Sequence, residues 1–360
     1  MRQRALKTPQ KQVTKMEERG RDELSRLILW MCGNGTCPCL FIVSIQRCHS
    51  HASVNFTIAK YIHTHLLLLQ VIHAWAKSDH FQCGEHAQCI LDRLDEATAK
   101  NPSLQTNRVA LNAAIQAWSR QGSINQAEAI FTRMQQDPAI DMELSDYNAM
   151  LASYARQGDT AKTESLFQSL QSLSDTNGNV RPDLNSYNYR LEAWARSEAP
   201  DSVERTESIL NEMKEKFDDG TSTIRPNDKS YSYVAHANSR LYSSEEAIRK
   251  TEALLREAEG RGLGITDTHL HNALLDTWAD SPRPDAARVA EKMLLYEMEQ
   301  YGVVNSVSYN LVIKALAHSN DSDAPQRAEN ILDRMEYLQS NSPTMNVAPD
   351  AFTFTTVVRK

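Results

Sequence analysis

The chain has 360 residues, of which 41% are hydrophobic and 24% charged, a folded-protein composition and not a disordered or collagenous one. Twelve Gly and twelve Pro are too few for an all-β fold with many tight turns, and six Cys are too few for a disulfide scaffold. A net charge of −7 argues against a protein that holds nucleic acid by bulk electrostatics alone.

The charge is unevenly spread. Residues 1–60 hold ten Lys and Arg against four Asp and Glu, whereas residues 61–360 hold 29 against 42. The stretch from Met1 to Met16 contains Arg2, Arg4, Lys7, Lys11 and Lys15 and no acid, which suits either an Arg-rich targeting segment or a ragged terminus. The most apolar run, Leu27 to Ile45, is broken by Gly33, Asn34, Gly35 and Pro38, so no transmembrane helix and no membrane partner are expected. Cys32, Cys37, Cys39 and Cys48 with His49 and His51 lack the paired spacing of a zinc site. No metal or other cofactor is expected. Residues 1–64 are therefore expected to form a non-repeat N-terminal segment, targeting or disordered. His63, His65 and His73 belong to the start of a partly buried first repeat, and Cys83 and Cys89 are expected to be buried or idle thiols within it.

From residue 65 onward the chain repeats itself. One block runs from a small residue through two adjacent apolar residues to another apolar residue three positions on. It starts at Ala87, Ala127, Thr163, Thr206, Thr251, Ala290 and Ala328, with spacings of 40, 36, 43, 45, 39 and 38 residues. A second block precedes each copy: Ala74-Trp75-Ala76, Ala117-Trp118-Ser119, Ser153-Tyr154-Ala155, Ala193-Trp194-Ala195, Thr277-Trp278-Ala279 and Ala315-Leu316-Ala317. A weaker form stands at Ala237-Asn238-Ser239. Four of the five Trp thus share one repeat position, where the expected role is core packing between helices.

Both blocks have helical period. Leu111, Ala114, Ile115 and Trp118 mark a first helix, and Ala127, Ile130, Phe131 and Met134 a second. Gln121-Gly122 and Gln157-Gly158 are expected to turn between the two, with Gly able to take positive φ. Asn177-Gly178-Asn179, Asp218-Asp219-Gly220 and Ser340-Asn341-Ser342-Pro343 are expected to separate successive pairs. No strand pattern of useful length occurs. Each helix pair is too small for its own core and must bury its apolar face against its neighbours.

The residues that open and close the units are more specific. Units open with Asp146-Tyr147-Asn148, Ser186-Tyr187-Asn188, Ser230-Tyr231-Ser232, Leu270-His271-Asn272, Ser308-Tyr309-Asn310 and Thr353-Phe354-Thr355. They close with Arg181-Pro182-Asp183, Arg225-Pro226-Asn227 and Ala348-Pro349-Asp350. A unit with a Tyr-Asn opening, a mid-turn Gly, an Ala/Glu–Met helix and a closing Pro-Asp resembles the pentatricopeptide repeat (PPR) family. The resemblance covers about residues 65–360. It implies an all-α fold, a right-handed superhelical solenoid of helix-turn-helix repeats. Seven hairpins are expected over residues 65–350, with residues 351–360 the truncated start of an eighth. Most units are longer than the family's, and the extra residues fall in loops such as Ser281 to Pro284.

The resemblance implies single-stranded RNA as partner, bound one base per repeat. In the family, the residue after the opening Tyr and the last residue of the same repeat select the base. Carried over, the pairs are Asn112 with Glu143, Asn148 with Asp183, Asn188 with Asn227, Ser232 with Asp267, Asn272 with Asn305, and Asn310 with Asp350. Asn with Asp implies uracil, Asn with Asn cytosine, and Ser with Asp guanine; Glu143 fits no family rule. The residues implied to lie against the base faces are Val109, Ser145, Asn185, Lys229, His269 and Val307. Asn185 and Lys229 are polar where the family is usually apolar. A structural alternative assigns each Asn to a helix cap or turn and each Pro-Asp to a loop end.

No Ser/His/Asp or Cys/His arrangement and no Gly-rich phosphate loop stands out, so no enzyme is expected. The implied role is organellar, in a mitochondrion or chloroplast, acting in RNA processing, stability or translation. The alternative is a protein-binding α-solenoid that scaffolds an organellar complex, a reading favoured by the acidic repeats.

Overall fold

The computed structural model describes residues 68–358 except 79, 101–107, 178–179, 243, 264–267, 300–301, 303 and 342–346. The expectations for residues 1–64, including the Cys/His cluster and the basic leader, lie outside the described residues, as does the code residue Asp267. The chain divides into two compact segments, with the break between Tyr154 and Ala155.

In the first segment, a helix over 68–77 (α1) is followed by α2 (Cys83–Lys100), α3 (Arg108–Gln121) and α4 (Ile124–Gln136). Helix α5 (Leu144–Gln157) contains the break. The second segment runs through α6 (Thr160–Asn177), α7 (Leu184–Arg196), α8 (Ser202–Asp218), α9 (Asp228–Leu241), α10 (Ser244–Gly260) and α11 (His269–Ala279). It continues with α12 (Ala286–Lys292), α13 (Ser306–His318), α14 (Ala324–Asn341) and α15 (Ala351–Val358). A π-helical stretch, Met293–Met298, extends α12. All regular structure among the described residues is helical. None of the described helices is long and apolar enough to cross a membrane.

The repeat pattern explains the packing. The small residue that opens each second-helix block is buried in all seven copies, from Ala87 and Ala127 through Thr163, Thr206 and Thr251 to Ala290 and Ala328. A larger side chain there would push neighbouring helices apart. The apolar positions behind it, such as Ile130, Phe131 and Met134 in α4, are buried as their spacing predicts. Each contributes on the order of 1.5–3 kcal/mol of transfer free energy. Gly122 and Gly158 hold φ of 85° and 68°, the left-handed turn that lets one helix end and the next begin.

The repeated Trp position packs as expected in most copies. Trp75, Trp118 and Trp278 are buried, and Trp194 is half-buried. Its indole N–H also has a recurrent use. Trp118 Nε1 donates to Gln88 Oε1 at 3.3 Å, and Trp194 Nε1 to Glu164 Oε1 at 2.9 Å. Both acceptors stand one residue after the small residue of the preceding second helix. The weak fifth copy breaks this pattern. Asn238 is buried, and neither polar atom of its side chain has a hydrogen-bond partner. Glu207, the equivalent acceptor, instead receives the Lys250 ammonium at 3.0 Å. That ammonium also donates to the Tyr242 hydroxyl at 3.1 Å and lies 4.3 Å from the Tyr242 ring centroid. Tyr242 and Lys250 together do what the missing indole does elsewhere.

Candidate functional site

Each first helix opens with residues that hold backbone N–H groups otherwise left unsatisfied. Asp183, Asn227 and Asn305 cap α7, α9 and α13, and each forms a capping box with the Ser three residues later. At α15 the same two bonds form: Thr353 N donates to Asp350 Oδ1 at 2.9 Å, and Asp350 N to Thr353 Oγ1 at 3.0 Å. These caps are the closing residues of the sequence pattern, each of which begins the helix of the next repeat.

The capping hydroxyl also reaches back one repeat. Ser230 Oγ donates to Asn188 Oδ1 at 2.7 Å, Ser308 Oγ to Asn272 Oδ1 at 2.7 Å, and Thr353 Oγ1 to Asn310 Oδ1 at 2.6 Å. The amide of the same Asn then donates to the cap. Asn188 Nδ2 lies 3.3 Å from Asn227 Oδ1, Asn272 Nδ2 3.4 Å from Asn305 Oδ1, and Asn310 Nδ2 3.2 Å from Asp350 Oδ2. Three of the pairs named from sequence are therefore in contact, joined through a Ser or Thr that sequence reasoning had not included. The missed signal was a capping-box spacing: Asp or Asn followed three residues later by Ser or Thr, in four copies.

Asp350 shows the electrostatic consequence. The backbone N–H of Thr353 above all, with the Asn310 amide and the Phe352 backbone N–H, holds its carboxyl below the ordinary carboxylate range, against the opposing effect of burial.

Two pairs differ. Asn112 does not meet Glu143. Its Nδ2 donates to Asp146 Oδ1 at 2.7 Å and to the Ser145 carbonyl at 3.1 Å, and its Oδ1 accepts from Gln116 Nε2 at 2.7 Å. Glu143 turns to Arg108 at 2.8 Å, because that guanidinium also holds the buried Asp146 at 2.9 Å. Ser232 donates to the Lys229 carbonyl within its own helix at 2.9 Å. The next helix, α11, has Leu270 where α7, α9, α13 and α15 have a capping hydroxyl, and Asp228 Oδ2 accepts its backbone N–H at 3.1 Å. Asn148 is half-buried, and its partner position Asp183 caps α7.

Burial separates the two classes of implied site residue. Asn112, Asn188, Ser232 and Asn310 are buried, with Asn188 only 6% exposed, and Asn148 and Asn272 are half-buried. Val109, Ser145, Asn185, Lys229, His269 and Val307 are all exposed, Val109 at 48% and Val307 at 52%. Each helix opening thus sets a recessed amide or hydroxyl below one projecting side chain. Phe352 occupies the projecting position of α15, at 53% exposure, and was not singled out from sequence. Asn185 leans onto the code residue, its Nδ2 3.3 Å from Asp183 Oδ2.

The far ends of the first helices carry a second regularity. Arg120, Arg156, Arg196 and Arg240 stand in the last turns of α3, α5, α7 and α9, all exposed. Ion pairs elsewhere, largely on second helices, join one repeat to the next. Examples are Arg133–Asp95 at 2.7 Å, Lys214–Glu257 at 2.8 Å, Arg261–Asp218 at 3.0 Å and Arg334–Glu299 at 2.6 Å. Cys83 is buried, its thiol donating to the Ala117 carbonyl at 3.2 Å, and Cys89 is exposed. Among the described residues no group of three His, Cys, Asp or Glu is placed to hold a metal ion.

Stacked helical hairpins joined by recurrent caps define an α-helical repeat solenoid. The PPR repeat family matches residues 109–137 and 145–174, so the chain carries pentatricopeptide repeats over those two stretches. Among solved structures, the pentatricopeptide repeat protein PPR10 from maize is 17% identical with a TM-score of 0.55, covering 96% of this chain and 47% of its own. PPR10 in complex with an 18-nt psaJ RNA element is 23% identical with a TM-score of 0.47, covering 88% of this chain and 39% of its own. The chain thus spans less than half the length of either structure. No curated protein matches its sequence.

Proposed function

We propose that the chain binds single-stranded RNA one base per repeat, serving organellar RNA processing, stability or translation without catalysing a reaction itself. The observation that carries this reading is the recurrent helix opening, with Asn188, Asn272 and Asn310 recessed beside their caps and an exposed side chain projecting above each. An amide held at fixed geometry suits the Watson–Crick edge of an unpaired base, and a projecting Val307 or Phe352 suits its face. PPR10, which shares the fold, has been crystallised with RNA.

Bulk charge is unfavourable, yet four first helices end in exposed Arg. In this reading Asn148 with Asp183 and Asn310 with Asp350 select uracil, Asn188 with Asn227 selects cytosine, Asn272 with Asn305 selects cytosine or uracil, and Ser232 with Asp267 weakly selects guanine. The second reading is a protein-binding scaffold, supported by the acidic excess of residues 61–360 and by the polar Asn185 and Lys229.

The test is selection from a random pool of single-stranded RNA by the full chain at two salt concentrations. Enrichment of a short core following these letters supports the reading. Absence of binding at low salt overturns it in favour of a protein partner.

A further inference from the structure

The recessed asparagines do not all face the same way, and the residue that decides is the third of the following first helix. Where that residue is Ser or Thr, its oxygen accepts the backbone N–H of the cap: Asn227 N to Ser230 Oγ at 3.1 Å, Asn305 N to Ser308 Oγ at 3.2 Å, Asp350 N to Thr353 Oγ1 at 3.0 Å. A hydroxyl has one hydrogen. The cap's own side-chain oxygen also lies within reach, at 2.9–3.2 Å, but the shorter contact of 2.6–2.7 Å draws that hydrogen to the Oδ1 of Asn188, Asn272 or Asn310. The amide orientation is then fixed by chemistry: Oδ1 toward the hydroxyl, Nδ2 toward the cap. One Nδ2 hydrogen serves the cap and the other is left over.

Asp146 stands at the same position in α5 and reverses this. A carboxylate only accepts, so Asn112 must turn its Nδ2 toward it. Both Nδ2 hydrogens are then consumed, by Asp146 Oδ1 and the Ser145 carbonyl, while Gln116 caps Oδ1. The arrangement is braced from outside. Arg108 bridges Asp146 and Glu143, and the Glu143 backbone N–H donates to Asp146 Oδ2 at 2.9 Å. Glu143, the other implied reader of this repeat, is thereby held on an Arg.

We propose that the third residue of each first helix is a positioning residue for base selection: Ser230, Ser308 and Thr353 present the preceding asparagine with an uncommitted N–H, whereas Asp146 withdraws Asn112, so the repeat beginning at Arg108 selects no base. This rests on the RNA-binding reading and assigns which repeats carry letters.

The test is RNA selection with the full chain and four variants. Asn112→Ala leaves the enriched sequence unchanged and affinity for it within about twofold, whereas Asn310→Ala lowers affinity by about tenfold or more. Ser308→Asp flattens the single letter selected by Asn272 while its neighbours persist, and Ser308→Thr, which copies Thr353, preserves it. A joint that was merely weakened would lower affinity for all sequences alike and leave the letters in place. The proposal is overturned if Asn112→Ala removes a letter, or if Ser308→Asp folds and selects the wild-type sequence. Should Ser308→Asp fail to fold, the Asn112→Ala result decides alone. If the wild-type chain binds RNA without sequence preference, or binds none, the RNA reading falls first and this inference with it.

Discussion

Thr353 Oγ1 lies 2.6 Å from Asn310 Oδ1, across 43 residues of chain. One hydroxyl therefore closes a helix cap, by accepting the Asp350 N–H, and fastens that cap to the repeat before it. The relationship recurs at Ser308 with Asn272 and at Ser230 with Asn188. It makes the openings of the first helices structural joints as well as candidate readers.

Ser308→Ala is expected to destabilise the chain by about 1–3 kcal/mol, because it leaves the half-buried Asn272 acceptor and the Asn305 N–H without their partner. Urea unfolding followed by circular dichroism measures this. An unchanged midpoint would mean that the joint carries no net stability.

Asp350 is expected to make stability pH-dependent at low pH. Its folded pKa lies below the unfolded value, so its contribution is complete above the ordinary carboxylate range and is lost as pH falls through the folded value. Asp350→Asn keeps a competent cap, since Asn227 and Asn305 fill the same role. The difference in melting temperature between wild type and Asp350→Asn should therefore shrink on acidification. A constant difference from neutral pH to strong acid would count against the assignment.

Asn238→Leu is expected to raise stability by about 1–3 kcal/mol, since it replaces two buried polar atoms that lack a protein partner with an apolar side chain of similar size. Thermal melting provides the comparison. A lower melting temperature would indicate that bound water satisfies the Asn238 amide.

Arg196→Ala is expected to weaken RNA binding across sequences alike and to reduce the salt slope of the binding constant by about 1, the behaviour of a phosphate contact. Titrations of one RNA at several salt concentrations give the slope. Loss of a single letter with an unchanged slope would instead make Arg196 a base contact.

The repeat architecture was legible because hairpins that stack on one another force the same burial at the same place. The buried Ala or Thr opening each second block and the shared Trp position are direct records of that. Three of the closing residues, Asp183, Asn227 and Asp350, were legible from their Pro-Asp and Pro-Asn dipeptides, as loop ends and not as caps. The joint was not, because Ser230 and Ser308 read as mere neighbours of the opening Tyr, and a contact spanning a whole repeat leaves no local pattern. Glu143 was mispaired for a related reason. It has the right position for a reader, but Arg108, also a full repeat away, claims its charge. Nor was the replacement of an indole by Tyr242 and Lys250 visible beside Asn238, since nothing in their spacing repeats elsewhere.

Under the RNA-binding proposal, the double use of these asparagines bears on how such a chain can diverge. A repeat that exchanges Asn272 or its cap Asn305 for another letter also alters the seam between two hairpins. Drift in target preference is therefore coupled to drift in folding stability, repeat by repeat. The repeat from Arg108, held by Asp146 and an ion pair, is released from that coupling: its seam can hold without any letter being kept, and neighbouring repeats can change around it.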